Sequence, residues 1–165
     1  MNIREFSADC TVVRLTPEDV PEILRLCQGN PLFYQHCPPP PCEESILRDM
    51  QALPPRKTME DKSFLGFKRH GKLIAVLDLI LRYPDEQTAF IGFFMVDSSL
   101  QGRGEGSRLI QDLFAAIKKD FRYVRLGYVK GNEQSRHFWH KNGLRETGVV
   151  ARQPEYEIIY TQKEL

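Results

Sequence analysis

The sequence predicts an α/β (α+β) fold, a central sheet flanked by helices, on three observations. Residues 90–96, FIGFFMV, form an apolar run bounded by turn-formers, the pattern of a strand buried on both faces. The following QGRGEG places Gly102, Gly104 and Gly106 in a tight turn. Leu109, Ile110, Leu113, Phe114 and Ile117 then recur at helical spacing and make one apolar face. Strand, glycine-rich turn and helix together are the geometry of a phosphate site. Glycine lets backbone approach a ligand closely, and the free N–H groups of a first helical turn favour an anion.

The other elements follow from the N-terminus. Residues 10–15 (CTVVRL) read as a first strand. Thr16 is a helix N-cap with Pro17 at the first helical position, and Val20, Ile23, Leu24 and Cys27 give that helix one apolar face. Gly29-Asn30-Pro31 stops it. Residues 31–42, PLFYQHCPPPPC, are expected to be a proline-rich loop carrying Phe33, Tyr34 and His36. Residues 43–53 form a second short helix, ended by Pro54-Pro55. Residues 63–68 and 72–83 are two strands about Arg69-His70-Gly71, and Pro84-Asp85-Glu86 turns the chain into the central strand. After the long helix come a strand at 123–129, a short helix at 132–142 closed by Gly143, and a strand pair at 144–151 and 156–161. The expectation is about seven strands and four helices.

Size and charge bound the rest. A chain of 165 residues suits a single domain, 1–165, with one sizeable core. Lys and Arg number 23 against 22 Asp and Glu, so bulk charge points to no nucleic acid and no anionic membrane as partner. No apolar run approaches the ~20 residues of a membrane span. The opening MNIREFSADC lacks the apolar core of a secretory signal, and a cytoplasmic location is expected. Cys10, Cys27, Cys37 and Cys42 all lie early in the chain. The proline run between the last two, and the lack of a second close cysteine pair, argue for reduced thiols and against a metal.

Which phosphate site this is can be narrowed. The dinucleotide fingerprint GxGxxG fails, and no Gly-Lys-Ser/Thr follows the turn as a nucleotide P-loop requires. What fits is Q-x-x-G-x-G after a strand ending in Val. Gln101 to Gly106 resembles the acyl-CoA pyrophosphate loop of the GNAT N-acetyltransferase superfamily, in its small bacterial-type domain proteins. A second block, NEQSRHFWHKNGL, resembles the family's N-x-x-[SA]-x-x-[FL]-Y-x-[KR]-x-G-[FL] through Asn132, Ser135, Phe138, Lys141, Gly143 and Leu144. The resemblance spans nearly the whole chain in element order, while residues 90–144 carry the specific motifs.

The resemblance implies an acetyl-CoA-dependent N-acetyltransferase, with the acetyl group passing to a primary amine, expected on a small molecule, by direct attack on the thioester. It implies a mixed sheet whose fourth and fifth strands splay apart, with the pantetheine arm paired to the main chain of Phe94, Met95 and Val96. Gln101, Gly102, Arg103, Gly104, Glu105, Gly106 and Ser107 would hold the pyrophosphate. Arg103 and Arg108 either meet phosphate charge or are simply solvated. Asn132 and Ser135, one helical turn apart, would reach the pantetheine amides. Phe138 would pack on the cofactor or join the core. Trp139, beside it, would also contact the cofactor; it stands where the family's usual acid is a Tyr, and it donates a hydrogen bond but delivers no proton. His140 lies about 100° further round the helix and is no automatic replacement.

The family often places a Glu base on the fourth strand, and this strand has none. Asp78, in LIAVLDLIL, is the best substitute, sharing parity with Ile74, Val76 and Ile80 on an otherwise apolar face. Desolvation would raise its pKa and suit it to proton work, but a buried Asp paired to an Arg or to backbone N–H groups is the other reading. Asp85, Glu86, His36 and a water chain also stay open. The acceptor would enter opposite the cofactor, walled by Phe33, Tyr34, Tyr83 and Glu155. A homodimer stays open. So do a catalytically weak acyl-CoA-binding or sensing module and a domain sharing only the fold.

Overall fold

The computed structural model describes residues 2–165. Seven strands join in one sheet: β1 (Thr11–Arg14), β2 (Lys62–Arg69), β3 (Lys72–Leu81), β4 (Thr88–Val96), β5 (Tyr123–Val129), β6 (Arg145–Arg152) and β7 (Glu157–Glu164). Their order is β1-β2-β3-β4-β5-β7-β6. Only β4 and β5 run parallel, so the sheet is mixed, and the last hairpin folds back to put β7 beside β5. Helices are α1 (Val20–Gln28), α2 (Pro31–His36), α3 (Glu43–Gln51), α4 (Glu105–Ile117) and α5 (Glu133–Lys141). No described helix is long and apolar enough to cross a membrane.

Period-two alternation sorts the strand side chains between two cores. Leu65, Leu77, Leu79, Ile91, Val124 and Leu126 pack with Leu109, Leu113 and Ile117 of α4 and Trp139 of α5. Phe64, Leu73, Val76 and Met95 pack instead with Ile23 and Leu26 of α1 and Ile46 and Met50 of α3. The β2–β3 hairpin turns on His70 and Gly71 alone, at φ 51° and 78°, which suits its short loop.

Two expectations change. Residues 31–42 are not all loop: α2 starts on Pro31, whose fixed φ suits a first helical position, and the Pro38–Pro41 run, lacking N–H groups, prevents its continuation. The described residues therefore hold five α-helices, with Phe33, Tyr34 and His36 on the second. The central strand begins at Thr88 and is not buried on both faces throughout. Gly92 is exposed, and Phe93 and Phe94 are half-buried, because β5 leaves β4 alongside them.

Candidate functional site

The site begins where the sheet opens. β4 and β5 pair from Thr88↔Tyr123 to Ile91↔Leu126 and no further, while β5 stays paired to β7 through Val129. At the same level Asp78 opposes Phe93 and Leu79 opposes Ile91, so Gly92 is an extra residue in the β3–β4 ladder. Asp97 N–H donates to the Ile74 carbonyl at 2.8 Å, toward β3. By strand alternation Phe93 and Met95 also point their main-chain groups at β3, whereas Phe94 and Val96 point theirs into the gap. The Val96 carbonyl accepts there from Gln101 Nε2 at 3.0 Å and Asn30 Nδ2 at 3.2 Å.

The loop beyond carries the conformations its glycines were expected to permit. Gly102 and Gly104 have φ of 73° and 82°, and a Cβ on either would meet nothing within 4 Å. Gly104 is the N-cap of α4, and the first N–H bonded back inside the helix is that of Arg108, to Gly104 at 3.0 Å. The N–H groups of Glu105, Gly106 and Ser107 are thus left for an external acceptor. Gly106 serves packing, since a Cβ there would stand 3.1 Å from the Phe138 ring and 3.4 Å from Val96.

Phe94, Met95, Val96, Gln101, Gly102, Gly104, Gly106, Ser107, Ser135, Phe138 and Trp139 line one cleft of about 400 Å³. Three other expected residues contribute differently. The Glu105 carboxylate faces away, paired with Arg69 at 2.8 Å and Arg108 at 2.9 Å, and Arg108 also pairs with Asp9. Arg108 is therefore neither a free phosphate ligand nor merely solvated. Arg103 is exposed and has no ion-pair partner among the described residues. Asn132 Oδ1 accepts from Ser135 N–H at 3.0 Å as the cap of α5, so only its amide N–H groups remain for a ligand.

Phe138 belongs to both proposed settings, lining the cleft and packing on Trp139 and Phe94 with ring centroids 4.8 and 6.0 Å away. Trp139 is buried. His140 turns away from the cleft, to Tyr128 and to Glu146 at 3.5 Å. Asn30, Gln134 and His137 line the cleft without having been singled out. For α5 the signal was available: Gln134, His137, Phe138 and Lys141 recur at helical spacing on one face. For Asn30 there was none, since it reads only as a helix stop. Buried Asn142 also went unnoticed; it joins α5 to α4 through Ser107 at 3.1 Å and Gln111 at 3.1 Å.

On the sheet's opposite face α2 leans over the same opening. Phe33 meets Phe93 edge-on at 5.7 Å and Tyr34 at 5.0 Å, and burial pushes the Tyr34 hydroxyl pKa up. Tyr156, in the β6–β7 turn, comes near Cys37 across the opening, its pKa pushed up to about 12 by burial first and the neighbouring Cys37 thiol second. The hairpin's contribution is thus Tyr156, while neighbouring Glu155 is exposed. Tyr83 packs on Phe90 at 5.3 Å, near the far end of β4 from Val96. Asp85 is occupied in its own turn, accepting from Gln87 N–H and Thr88 Oγ1, and Glu86 is exposed. His36 is half-buried at the end of α2.

Asp78 stands at the opening itself. Ile74 is an extra residue between the Phe67–Ala75 and Lys68–Leu73 pairs, so it falls in the α4-side core and does not share the face of Val76 and Asp78. Asp78 Oδ2 lies where a Gly92 Cβ would be, 2.5 Å from that position, and accepts from Lys62 Nζ at 2.7 Å. Burial pushes the carboxyl pKa up, and the Lys62 ammonium opposes that shift.

The acetyltransferase (GNAT) family model matches residues 30–144. No curated protein matches the sequence significantly. Among solved structures, an acetyltransferase from Thermus thermophilus is similar over 100% of both chains, with 20% identity and a TM-score of 0.76. The ribosomal-protein-S18-alanine N-acetyltransferase of Escherichia coli is similar over 94% of this chain and 93% of its own, at 16% identity and a TM-score of 0.68. A ribosomal L7/L12 alpha-N-protein acetyltransferase in complex with coenzyme A is similar over 99% and 98%, at 16% and 0.70. These likenesses establish a common fold.

Proposed function

We propose that this chain, which belongs to the acetyltransferase (GNAT) family, transfers an acetyl group from acetyl-CoA to a primary amine on a small molecule by direct attack on the thioester. The observation that carries the reading is one continuous surface: a β4 edge without a strand partner at Phe94 and Val96, running into the open-sided Gly102–Gly104 turn and the free N–H groups of α4. Those features fit acetyl-CoA on their own chemistry. Amide-bearing ligands pair with strand edges, and a pyrophosphate suits a helix N-terminus approached through glycines whose missing Cβ atoms leave room.

Bound acetyl-CoA supplies an activated acyl thioester. The edge of β4 would orient it, Phe138 would pack along it, and a β4 N–H facing the gap would polarise its carbonyl. Asp78, on the acceptor face of the opening, would take a proton from the entering ammonium so that nitrogen presents a lone pair. One ammonium is then converted to one amide, with one thiol formed and one proton released. No side chain is placed as a Tyr-type acid, and the Trp139 indole N–H offers only a hydrogen bond. The half-buried aromatic walls Phe33, Phe93, Tyr34 and Tyr156 support a compact amine over an extended peptide.

The test joins calorimetry with acetyl-CoA to thiol release over a panel of small amines and short peptides. Binding together with amine-dependent thiol release supports the proposal. Binding without release from any member would remove the acyl-transfer reading, and release with peptides alone would remove the small-molecule acceptor.

A further inference from the structure

A buried ion pair next to the opening needs an explanation that packing does not supply. Lys62 is the first residue of β2, and its side chain is 1% exposed. Its ammonium is well compensated: it donates to Asp78 Oδ2 at 2.7 Å and to the Ala52 carbonyl at 2.9 Å, where α3 ends. A helix C-terminus carries partial negative charge, which favours a cation there. The Phe64 ring lies 5.7 Å beneath it. Asp78 is not compensated in the same way. Its side chain is 10% exposed, and Oδ1 is buried without a hydrogen-bond partner. A purely structural pair would be expected to satisfy both oxygens, because an unpaired buried acceptor costs free energy. This one leaves Oδ1 idle while Oδ2, the oxygen that Lys62 holds, lies against Gly92, at the point where β4 parts from β5.

We propose that Lys62 is a positioning residue for the transfer: its ammonium fixes one oxygen of Asp78, keeps the group a carboxylate, and leaves the other oxygen to accept the incoming amine's proton. The inference rests on Asp78 acting as the base. An N–H bond of the acceptor ammonium breaks as an O–H bond forms at Oδ1, and that proton later returns to solvent. The charged groups facing Asp78 are Lys62 from β2 and Asp49 from α3; its cross-strand neighbours Phe64 and Phe93 carry no charge. Asp49 is negative and disfavours a second carboxylate, so the task of holding Asp78 ionised falls to Lys62.

The experiment compares Lys62→Met, Lys62→Arg, Asp78→Asn and the Lys62→Met/Asp78→Asn pair by melting temperature and by the pH dependence of kcat at saturating acetyl-CoA. Removing an adjacent cation raises a carboxyl pKa by about one to three units. The acid limb of the Lys62→Met profile should therefore move up by that amount, with a loss of about tenfold or more at neutral pH that recovers toward wild type in alkali. Lys62→Arg should restore most of the shift. In the Asp78→Asn background Lys62→Met should cost no further activity. That double variant removes both charges and so provides the comparison even where Lys62→Met alone folds poorly. In the wild type, ¹³C titration of labelled aspartate carboxyls should follow the same acid limb. A folded Lys62→Met enzyme with an unshifted profile, or an equal further loss in the Asp78→Asn background, would overturn the positioning role. Wild-type turnover in Asp78→Asn would instead remove the base on which it rests.

Discussion

At the scale of single residues, Asp78 and Gly92 form one device. A carboxylate whose pKa burial raises can serve as a base only above that pKa, so wild-type turnover should fall as pH drops through a midpoint above the ordinary carboxylate range. Asp78→Asn preserves shape and removes the titration. It should lower turnover by about 10²–10⁴ with little change in acetyl-CoA affinity. Turnover per folded molecule near wild type, with the same pH profile, would make Asp78 structural. Gly92→Ala should be nearly as harmful for a different reason: its Cβ would stand 2.5 Å from Asp78 Oδ2, which cannot move without breaking the Lys62 contact. We expect a cost of about 1–3 kcal/mol in a denaturant melt together with lower turnover. Nothing in the FIGFFMV run distinguished Gly92 from any glycine in a strand, because the reason for it is a side chain on the neighbouring strand. Trp139→Phe keeps an aromatic ring against Phe138 but removes the indole N–H and leaves a smaller ring at a buried position, so some stability is lost while most turnover per folded molecule should survive. A hundredfold loss at intact affinity would show that the N–H is needed.

At the scale of elements, the α4 entry and the α5 cap carry different burdens. Gly104 caps α4 in the left-handed region, where a β-branched residue is strained whatever the space around it. Gly104→Val should therefore weaken acetyl-CoA at least tenfold in calorimetry by re-aiming the first-turn N–H groups, and unchanged affinity would mean that the loop is not the phosphate site. Asn132→Ala removes a helix cap and should cost about 1 kcal/mol of stability, read as a lower denaturation midpoint, whatever it does to the ligand. Both elements were legible in sequence because caps and glycine turns are local devices. α2 was not, since the proline run after it dominates the composition of residues 31–42 although the helix is complete before Pro38 begins.

At the scale of the whole molecule, the parting of β4 from β5 makes the site, and hydrogen exchange can see it. Adding acetyl-CoA should slow exchange of the Phe94 and Val96 amides, which face the gap, while Phe93 and Met95, paired to β3, should be slow in both states. Equal behaviour of all four would contradict an added-strand mode of binding. The sequence by itself determined the seven strands, four of the five helices, the glycine turn and the order of the two motif blocks. Each depends on periodicity, caps or turn chemistry within a few residues of chain. Eleven of the fourteen expected cofactor residues line the cleft because their motifs are contiguous with the strand and helices that form it. Tertiary structure alone decided the rest. The β4 and β2–β3 register shifts, Asn30 reaching Val96 across 66 positions, the approach of Tyr156 to Cys37, and the pairing of Asp78 with Lys62 at a separation of 16 all join distant segments. Residue spacing carries no record of such partners. Whether a buried carboxylate is paired, idle or poised depends on which charges the folded chain brings to it, and that is set only when strands and helices pack.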